Sequence, residues 1–251
     1  MKKNIDEPIF ETKAFKLTKQ EENLTKRARE LGRKKFLNRA FKYDDEAVFP
    51  IENYKDLYKE GFLGICIPKN QGGLGADFRG YALTAAEIGR YCGATALTWN
   101  MHVCSTLWTG ILADDLKMPK SIQKGHNVKR KLHYKRIIKD GAIYSQPFSE
   151  GGGGAAGATP FLTNATPTKN GWIVNGKKIF ASLSGHASYY GILCTEKKPD
   201  EISTQKDTLY LAIPANAEGV SVVGDWNPLG MRGTISRTLI FKDVFVPKDS
   251  A

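Results

Sequence analysis

The sequence lacks an apolar run that approaches the roughly 18–20 residues of a membrane-spanning helix. Its first ten residues, MKKNIDEPIF, contain two lysines but no apolar stretch after them. We therefore expect neither a membrane span nor a secretory signal, and we expect a location in the cytoplasm.

Spacings typical of disulfide and metal sites are also missing. The four cysteines, Cys66, Cys92, Cys104 and Cys194, include no C-x-x-C pair, and each stands among apolar or small residues. We expect buried free thiols in a reducing compartment. The four histidines show no metal-ligand spacing, so the sequence predicts no zinc or iron site.

Acidic residues are too few to balance the basic ones, and the formal net charge is +11. Such an excess is typical of chains that bind nucleic acid, a membrane surface or an anionic ligand. The densest basic cluster is VKRKLHYKRIIK, residues 128–139, in which Val128, Leu132 and Ile138 partly fit one helical face. We interpret it as a solvated helix face, because the sequence contains no nucleic-acid recognition module and no aromatic stacking platform.

The sequence does contain a clear change of pattern near residue 140. Before that point, residues 18–21 match a helix capping box, a second helix is expected between Pro50 and Gly61, and helical spacing returns after Asp77. A chain of 251 residues suits one large domain or two of ordinary size. We predict a helical domain over residues 1–139.

After residue 140 the pattern is that of β-strands. Lys169-Asn170-Gly171 predicts a hairpin, and Asn175-Gly176 predicts a second turn shortly after it. Further strands are expected over residues 189–194, 209–215, 220–223 and 237–246. Helices followed by strands predict an α+β fold in which a small β-barrel-like domain occupies residues 140–251.

A glycine run in YSQPFSEGGGGAAGATP, residues 144–160, allows three interpretations. A phosphate-binding loop would follow a strand and open a helix, whereas these glycines lead into strand-like sequence. A flexible linker would not need Phe148 or the strand-like entry before it. The third interpretation is a loop packed against a flat cofactor, because glycine lets backbone N–H groups approach a ring closely and Ser149 adds a hydroxyl.

Four segments of the sequence carry a resemblance to one protein family. SQPFSEGGGGAAG and GWIVNGKKIFASLSGHASYY resemble the middle domain of acyl-CoA dehydrogenases, with its aromatic-x-x-Thr-Glu-Pro-Gly-x-Gly-Ser-Asp loop and its Asn-Gly-x-Lys-x-Trp/Phe-Ile-Thr/Ser-Asn strand. GFLGICIPKNQGGLGADFRGYALTAAEIGR and NPLGMRGTISRTLIFKDVFVP resemble two further family segments. The four stand in the family's order and cover most of residues 15–250.

The resemblance implies an N-terminal helical domain and a β-barrel-like middle domain. Family members continue into a C-terminal four-helix bundle, which this sequence lacks. We therefore expect a truncated enzyme or one completed by another chain.

Several residues take implied roles in flavin binding from their positions in the first family loop. Ser149 stands at the Thr position and would offer its hydroxyl and N–H to the pyrimidine side of the flavin, with Phe148 just before it. Gln146 replaces the usual aromatic residue, so one wall of the site is altered. Gly151 replaces the Pro, which should loosen the loop.

The family strand supplies a second set of implied cofactor contacts. Phe180, Ala181 and Ser182 occupy the Trp/Phe-Ile-Thr/Ser positions, so Phe180 would flank the ring and Ser182 would donate near the flavin N5. Without the resemblance, Phe180 would be interpreted as a core residue. Ala155 stands where the family has a Ser that helps to bind acyl-CoA. Arg232 is interpreted as structural.

The implied reaction is FAD-dependent α,β-dehydrogenation of an acyl-CoA in fatty acid metabolism, with an electron-transfer flavoprotein or another acceptor as partner. A carboxylate must remove the α-proton while hydride leaves the β-carbon. The family base is a Glu of the bundle or a nearby helix; no catalytic residue can be assigned here, and Glu150 is not a candidate. The implied assembly is a homo-oligomer or a complex with a chain that supplies the bundle.

Two other functions stay open. The motif WNPLGMRGT, residues 226–234, resembles one that occurs widely among divergent members of the superfamily. A flavin oxidase or monooxygenase is therefore one alternative. The other is a non-catalytic remnant or interaction module, which the missing bundle and Ala155 would explain.

Overall fold

The computed structural model describes residues 7–9, 16–151, 160–197 and 202–250. Helices come first along the chain and strands second, which confirms the predicted α+β class. No helix within these ranges combines the length and the apolar character that a bilayer crossing needs.

The described residues divide into two compact units. The helical unit draws on the chain up to Lys117, together with Ile137–Gly141 and Asn227–Thr234. The sheet unit draws on Met118–Arg136, Ala142–Trp226 and the chain from Ile235 onward.

The α-helices are α1 Lys19–Leu31, α2 Leu37–Asp45, α3 Ile51–Lys59, α4 Phe78–Gly89, α5 Gly93–Leu107 and α6 Lys120–Asp140. The predicted capping box precedes α1: the N–H of Glu21 donates to the Thr18 hydroxyl, and the Glu21 carboxylate accepts from the Thr18 N–H. Asp77 caps α4 through the N–H of Gly80. These side chains satisfy backbone donors that a helix start leaves unpaired.

The core of the helical unit centres on Trp99 of α5, which is fully buried. Its indole N–H donates to the Phe62 carbonyl at 3.1 Å, and its ring lies close to the rings of Phe62 and Tyr81. His102, one turn further along α5, bonds the Leu63 carbonyl through Nε2 at 2.9 Å, and burial lowers the pKa of this imidazole to about 4. It is therefore a neutral core histidine.

The basic residues of the cluster in α6 are largely exposed, in agreement with a solvated helix face, but the apolar residues that partly fit one face are not its buried ones. Val128 is 65% exposed, whereas the buried side chains of this stretch belong to His133, Tyr134 and Ile137. The ring of His133 meets Tyr144 edge-on, with 4.3 Å between the centroids. The buried residues of this stretch are thus two aromatic side chains and one isoleucine, none of which the apolar pattern selected, because tertiary contacts override a weak pattern.

The strands of the sheet unit are β1 Tyr144–Ser145, β2 Asn164–Thr168, β3 Gly171–Ala181, β4 Tyr189–Glu196, β5 Thr208–Pro214, β6 Val220–Val223 and β7 Arg237–Pro247. They form one curled half-barrel sheet in the order β1-β4-β2-β3-β7-β6, with β5 on the other edge of β4. β1 and β2 both run parallel to β4, at its two ends.

The predicted hairpin joins β2 to β3, and Thr168 pairs with Gly171 across it. The second predicted turn, at Asn175-Gly176, is wrong. β3 continues through it with an irregular register against β7, and Gly176 has a φ of +155°. A Cβ there would lie 2.6 Å from the Thr163 Cα, so this glycine permits a close backbone approach, while the extra residue of the register shift lies on β7 between Phe241 and Val244.

Candidate functional site

The loop that carries Ser149 lies against the end of β3. The N–H of Ile179 donates to the Ser149 carbonyl at 2.8 Å. This bond places Ser149 opposite Ile179, directly before Phe180 and three residues before Ser182. The structure thus brings the two implied flavin-contacting segments, 148–149 and 180–182, to one place in the sheet unit.

Ser149 keeps two hydrogen-bond donors available. The residue is half-buried, and neither its N–H nor its hydroxyl has a hydrogen-bond partner in the part of the chain that the structure describes. An N–H and a hydroxyl in one half-buried residue are suited to a polar ring edge, because both can donate hydrogen bonds to ring nitrogens and carbonyls.

Phe180 is held in a conformation unusual for an aromatic residue. Its φ is +52°, in the left-handed region, and its side chain is 65% exposed. The Trp226 ring meets it edge-on, with centroids 6.2 Å apart and planes at 78°. A bulky residue at positive φ costs of order 1–3 kcal/mol and is characteristic of functional sites.

Positive φ angles continue in the backbone around Ser182. Leu183 has a φ of +68°, and Ile235, whose carbonyl accepts from the Ser184 N–H, has a φ of +44°. The Ser182 hydroxyl lies 2.8 Å from the Ser236 hydroxyl, and the Ser182 carbonyl accepts from the Ser145 hydroxyl. These contacts fix the position of Ser182 from both sides.

Ala181 and Gln146 lie inside the sheet unit rather than at its surface. Ala181 is fully buried, and Gln146 is 6% exposed. The Gln146 amide oxygen accepts from the Tyr210 hydroxyl at 3.1 Å, while its Nε2 has no partner among the described residues. A contact between Gln146 and a cofactor stays a prediction.

Glu150 and Lys178 form an ion pair whose side chains are 1% and 0% exposed, with 2.7 Å between Oε1 and Nζ. The Glu150 carboxylate also accepts from the N–H groups of Leu162 and Thr163, at 2.6 and 2.8 Å. Burial by itself would raise the pKa of Glu150, but the hydrogen bonds from Lys178 and Thr163 hold this pKa below its ordinary value. Both oxygens of the Glu150 carboxylate thus already accept hydrogen bonds, and neither is free to remove a proton from a substrate.

Ala155 falls outside the described residues. Arg232 belongs to the helical unit, where its Nη2 lies 3.0 Å from an Asp44 carboxylate oxygen, in agreement with a structural role. The described ranges hold no group of three or more His, Cys, Asp or Glu side chains that could bind a metal ion.

The residues present fit a flat aromatic cofactor. An exposed aromatic face at Phe180, the available N–H and hydroxyl of Ser149, and the hydroxyl of Ser182 provide a ring neighbour and polar contacts for a ring edge. Trp226 adds a buried Nε1–H that has no partner in the described ranges. That these groups contact a flavin stays a prediction at this point.

The sequence interpretation gave no site role to Trp226, Ser236 or the Glu150–Lys178 pair. Strand alternation offers a signal for Lys178, because it shares parity with the buried Val174 and should therefore point inward. Ser236 could not be found in this way, since its pairing with Ser182 joins residues 54 positions apart.

Two family models match the chain. The model described as "Acyl-CoA dehydrogenase, N-terminal domain" matches residues 18–113, and "Acyl-CoA dehydrogenase, middle domain" matches residues 146–244. The second stretch includes Ser149, Phe180 and Ser182.

Curated relatives show the same similarity at low identity. The "Probable acyl-CoA dehydrogenase YngJ" of Bacillus subtilis is 24% identical over 93% of this chain and 58% of its own length. The "Acryloyl-CoA reductase (NADH)" of Anaerotignum propionicum is 28% identical over 93% and 56%. The human "Short-chain specific acyl-CoA dehydrogenase, mitochondrial" is 26% identical over 94% and 54%. The chain thus spans a little over half the length of each.

Solved structures show that the fold is shared. FMN-bound TdsC from Paenibacillus sp. A11-2 superposes with a TM-score of 0.76 at 22% identity, over 91% of this chain and 53% of that one. KijD3 in complex with FMN and a dTDP-sugar superposes with a TM-score of 0.79 at 19% identity, over 94% and 54%.

Proposed function

Because this chain belongs to the acyl-CoA dehydrogenase family, we propose that it forms the flavin-holding part of an oxidoreductase that acts on acyl-CoA thioesters. The observation that carries the proposal is the meeting of Ser149 and Phe180 at the end of β3, where the Ile179 N–H bonds the Ser149 carbonyl. A bound flavin, FAD in our proposal, would accept the hydride that leaves the β-carbon of the thioester.

The residues of the proposed site have distinct parts in holding the flavin ring. Phe180 supplies a flat apolar neighbour that stays exposed until the cofactor covers it. Ser149 supplies an N–H and a hydroxyl to one polar edge, and Ser182 supplies a hydroxyl that the Ser236 side chain orients. Gln146 and Ala181 are buried beside these residues in the sheet unit, and their predicted cofactor contacts remain part of the proposal.

The base that removes the α-proton is not assigned to any described residue. Glu150 follows Ser149 directly, but Lys178 and two backbone amides already occupy its carboxylate. We propose that a helical bundle outside the described residues, in a longer polypeptide or in a partner chain, supplies the base and the remaining cofactor contacts, and that the assembly is a homo-oligomer or a complex with that partner. An electron-transfer flavoprotein or another acceptor in the cytoplasm would take the electrons.

A second candidate is an FMN-dependent monooxygenase or oxidase. The similarity to FMN-bound TdsC, described as a dibenzothiophene monooxygenase, and to KijD3 favours this reading of the same site. The chemistry differs in where the reducing equivalents go, since a monooxygenase must let oxygen reach the reduced flavin while a dehydrogenase must exclude it. A non-catalytic interaction module is the third candidate.

Purified chain incubated separately with FAD and with FMN, and then freed of unbound cofactor, tests the proposal through its visible absorption spectrum. We expect one flavin to stay bound per chain. Acyl-CoA-dependent dye reduction, with a bundle domain of the family added, supports the dehydrogenase; oxygen uptake by the reduced protein supports the monooxygenase. Absence of flavin under every condition would leave the interaction module.

A further inference from the structure

We propose that the buried Glu150–Lys178 pair is a positioning device that holds Ser149 in place for the flavin, an assignment that rests on the proposed function. The two side chains touch neither solvent nor the exposed face of Phe180 in any contact of the described residues. Their role is therefore to act through the neighbouring backbone.

The Glu150 carboxylate joins three separate pieces of chain. It accepts from Lys178 Nζ on β3 at 2.7 Å and from the N–H groups of Leu162 and Thr163 at 2.6 and 2.8 Å. These amides lie 12 and 13 residues further along the chain, where β2 is about to begin. One carboxylate thus ties the segment that carries Ser149 to the entry of β2 and to β3 at once.

The Lys178 ammonium completes the same arrangement from the strand side. Its other acceptors are the Leu193 carbonyl of β4, at 2.6 Å, and the Phe148 carbonyl, at 3.4 Å. An ammonium has three donors, and all three are used here. The Phe161 ring lies under the ammonium, with 4.7 Å between Nζ and the centroid.

These bonds set the register of the loop against β3. Lys178 contacts the carbonyl of Phe148, and the next residue of β3, Ile179, donates to the carbonyl of the next loop residue, Ser149, at 2.8 Å. Glu150 then returns to Lys178 through its side chain. Ser149 is consequently held on both sides, by residues 148 and 150, while no described residue accepts from its own N–H or hydroxyl.

Stability is a weak explanation for this pair, because removing two charges from water costs much of what their attraction returns. Positioning is the stronger one, since most of its hydrogen bonds end on the residues around Ser149 or on the backbone that returns from the loop. A binding site holds a ligand well only when its contacts are fixed to within about 0.5 Å. The pair supplies that precision without occupying the site.

The test compares E150Q with a matched control in the other unit. Glu87 is a fully buried carboxylate that pairs with Arg29 at 2.9 Å and Arg90 at 3.2 Å, so E87Q removes a comparable ion pair from the helical unit. For the full chain, the dissociation constants of FAD and FMN are measured by titration. We expect E150Q to weaken flavin binding by about tenfold or more, and E87Q to stay within about twofold of wild type.

A second readout reports on the loop without any flavin. Hydrogen exchange at the Ile179 amide should accelerate by about tenfold in E150Q and stay unchanged in E87Q, because only the first variant frees the loop from β3. E150Q leaves a buried ammonium without its counter-charge, so E150Q/K178M is made in parallel. It removes both charges and keeps similar volumes, and we expect the same loss of flavin affinity in a folded protein.

The outcomes separate the two proposals. If wild type binds no flavin, the proposed function is wrong, while the Ile179 exchange rate still shows whether the pair holds the loop. If wild type binds flavin and both E150Q and E150Q/K178M bind it equally well, with Ile179 still protected, the positioning assignment is overturned and the proposed function stands. Equal losses in E150Q and E87Q would also overturn it, since they would show a general effect of destabilisation.

Discussion

The Ser182 and Ser236 hydroxyl oxygens lie 2.8 Å apart, so the two side chains share a single hydrogen bond between the end of β3 and the start of β7. A hydroxyl has one proton to donate. If Ser182 is to donate to a cofactor, Ser236 must be the donor within the pair. The pair therefore sets the direction of the bond that Ser182 offers.

The double-mutant cycle of S182A and S236A tests this direction. S182A removes the proposed contact, and we expect flavin affinity to fall by the net worth of one hydrogen bond, about 0.5–1.5 kcal/mol. S236A should lower affinity by less, through the orientation of Ser182 alone. In the S182A background, S236A should have no further effect on affinity. Additive effects on the flavin dissociation constant would show that the hydroxyls act independently.

The positive φ of Phe180 predicts that glycine at this position gives a more stable protein than alanine, the reverse of the usual order in a strand. At a φ of +52°, F180G should be more stable than F180A by about 1 kcal/mol, because only glycine adopts the left-handed region without a penalty. Phe245 on β7, 50% exposed, is the matched control, and there alanine should be the more stable by about 0.5–1 kcal/mol. Urea unfolding of the four variants gives both differences. The same preference at the two positions would contradict the strain at Phe180.

Most of the sheet could be predicted from alternation and turn residues, and the errors have identifiable causes. Asn175-Gly176 resembles a hairpin turn, yet Asn175 exchanges two hydrogen bonds with Asp243 of β7, so β3 continues opposite a bulge in β7. Sequence alone could not show this, because the partner lies 68 residues away.

The candidate site could be predicted only in part, and only through the family resemblance. The loop that carries Ser149 does lie against the end of β3, directly before Phe180, and cofactor contacts of Ser149, Phe180 and Ser182 stay a prediction. Local pattern alone would have placed Phe180 in the core. Glu150 and Lys178 escaped notice because charged residues are usually solvated, and only the fold shows that their burial is paired.

Gly176 provides a prediction about the close approach of β3 to Thr163. G176A should destabilise the sheet unit by about 1–3 kcal/mol, since its Cβ would lie 2.6 Å from the backbone of Thr163. G125A is the control: nothing lies within 4 Å of a Cβ there, and alanine should stabilise α6 by about 0.5–1 kcal/mol. Thermal unfolding measures both. A G176A variant with the same thermal stability as wild type would contradict the close approach of Thr163.

Protonation of Glu150 at low pH should remove the stability that the Glu150–Lys178 ion pair contributes. The folded-state pKa of Glu150 lies below its ordinary value of 4.5, so the pair contributes stability above that pH and loses it as the pH falls through the folded-state value. Urea unfolding from neutral pH down to about pH 3 should therefore show a steeper loss of stability in wild type than in E150Q. Parallel curves for the two proteins would show that the pKa of Glu150 is not depressed.

The most direct test of the central claim, that the loop at Ser149 and the end of β3 together hold a flavin, is equilibrium titration of the full chain with FAD and FMN in wild type, S149A and F180A. We predict saturable binding of one flavin by wild type and at least about tenfold weaker binding by F180A, with a smaller loss in S149A, which keeps its N–H. Wild-type binding that neither substitution changes would place the flavin elsewhere and contradict the account.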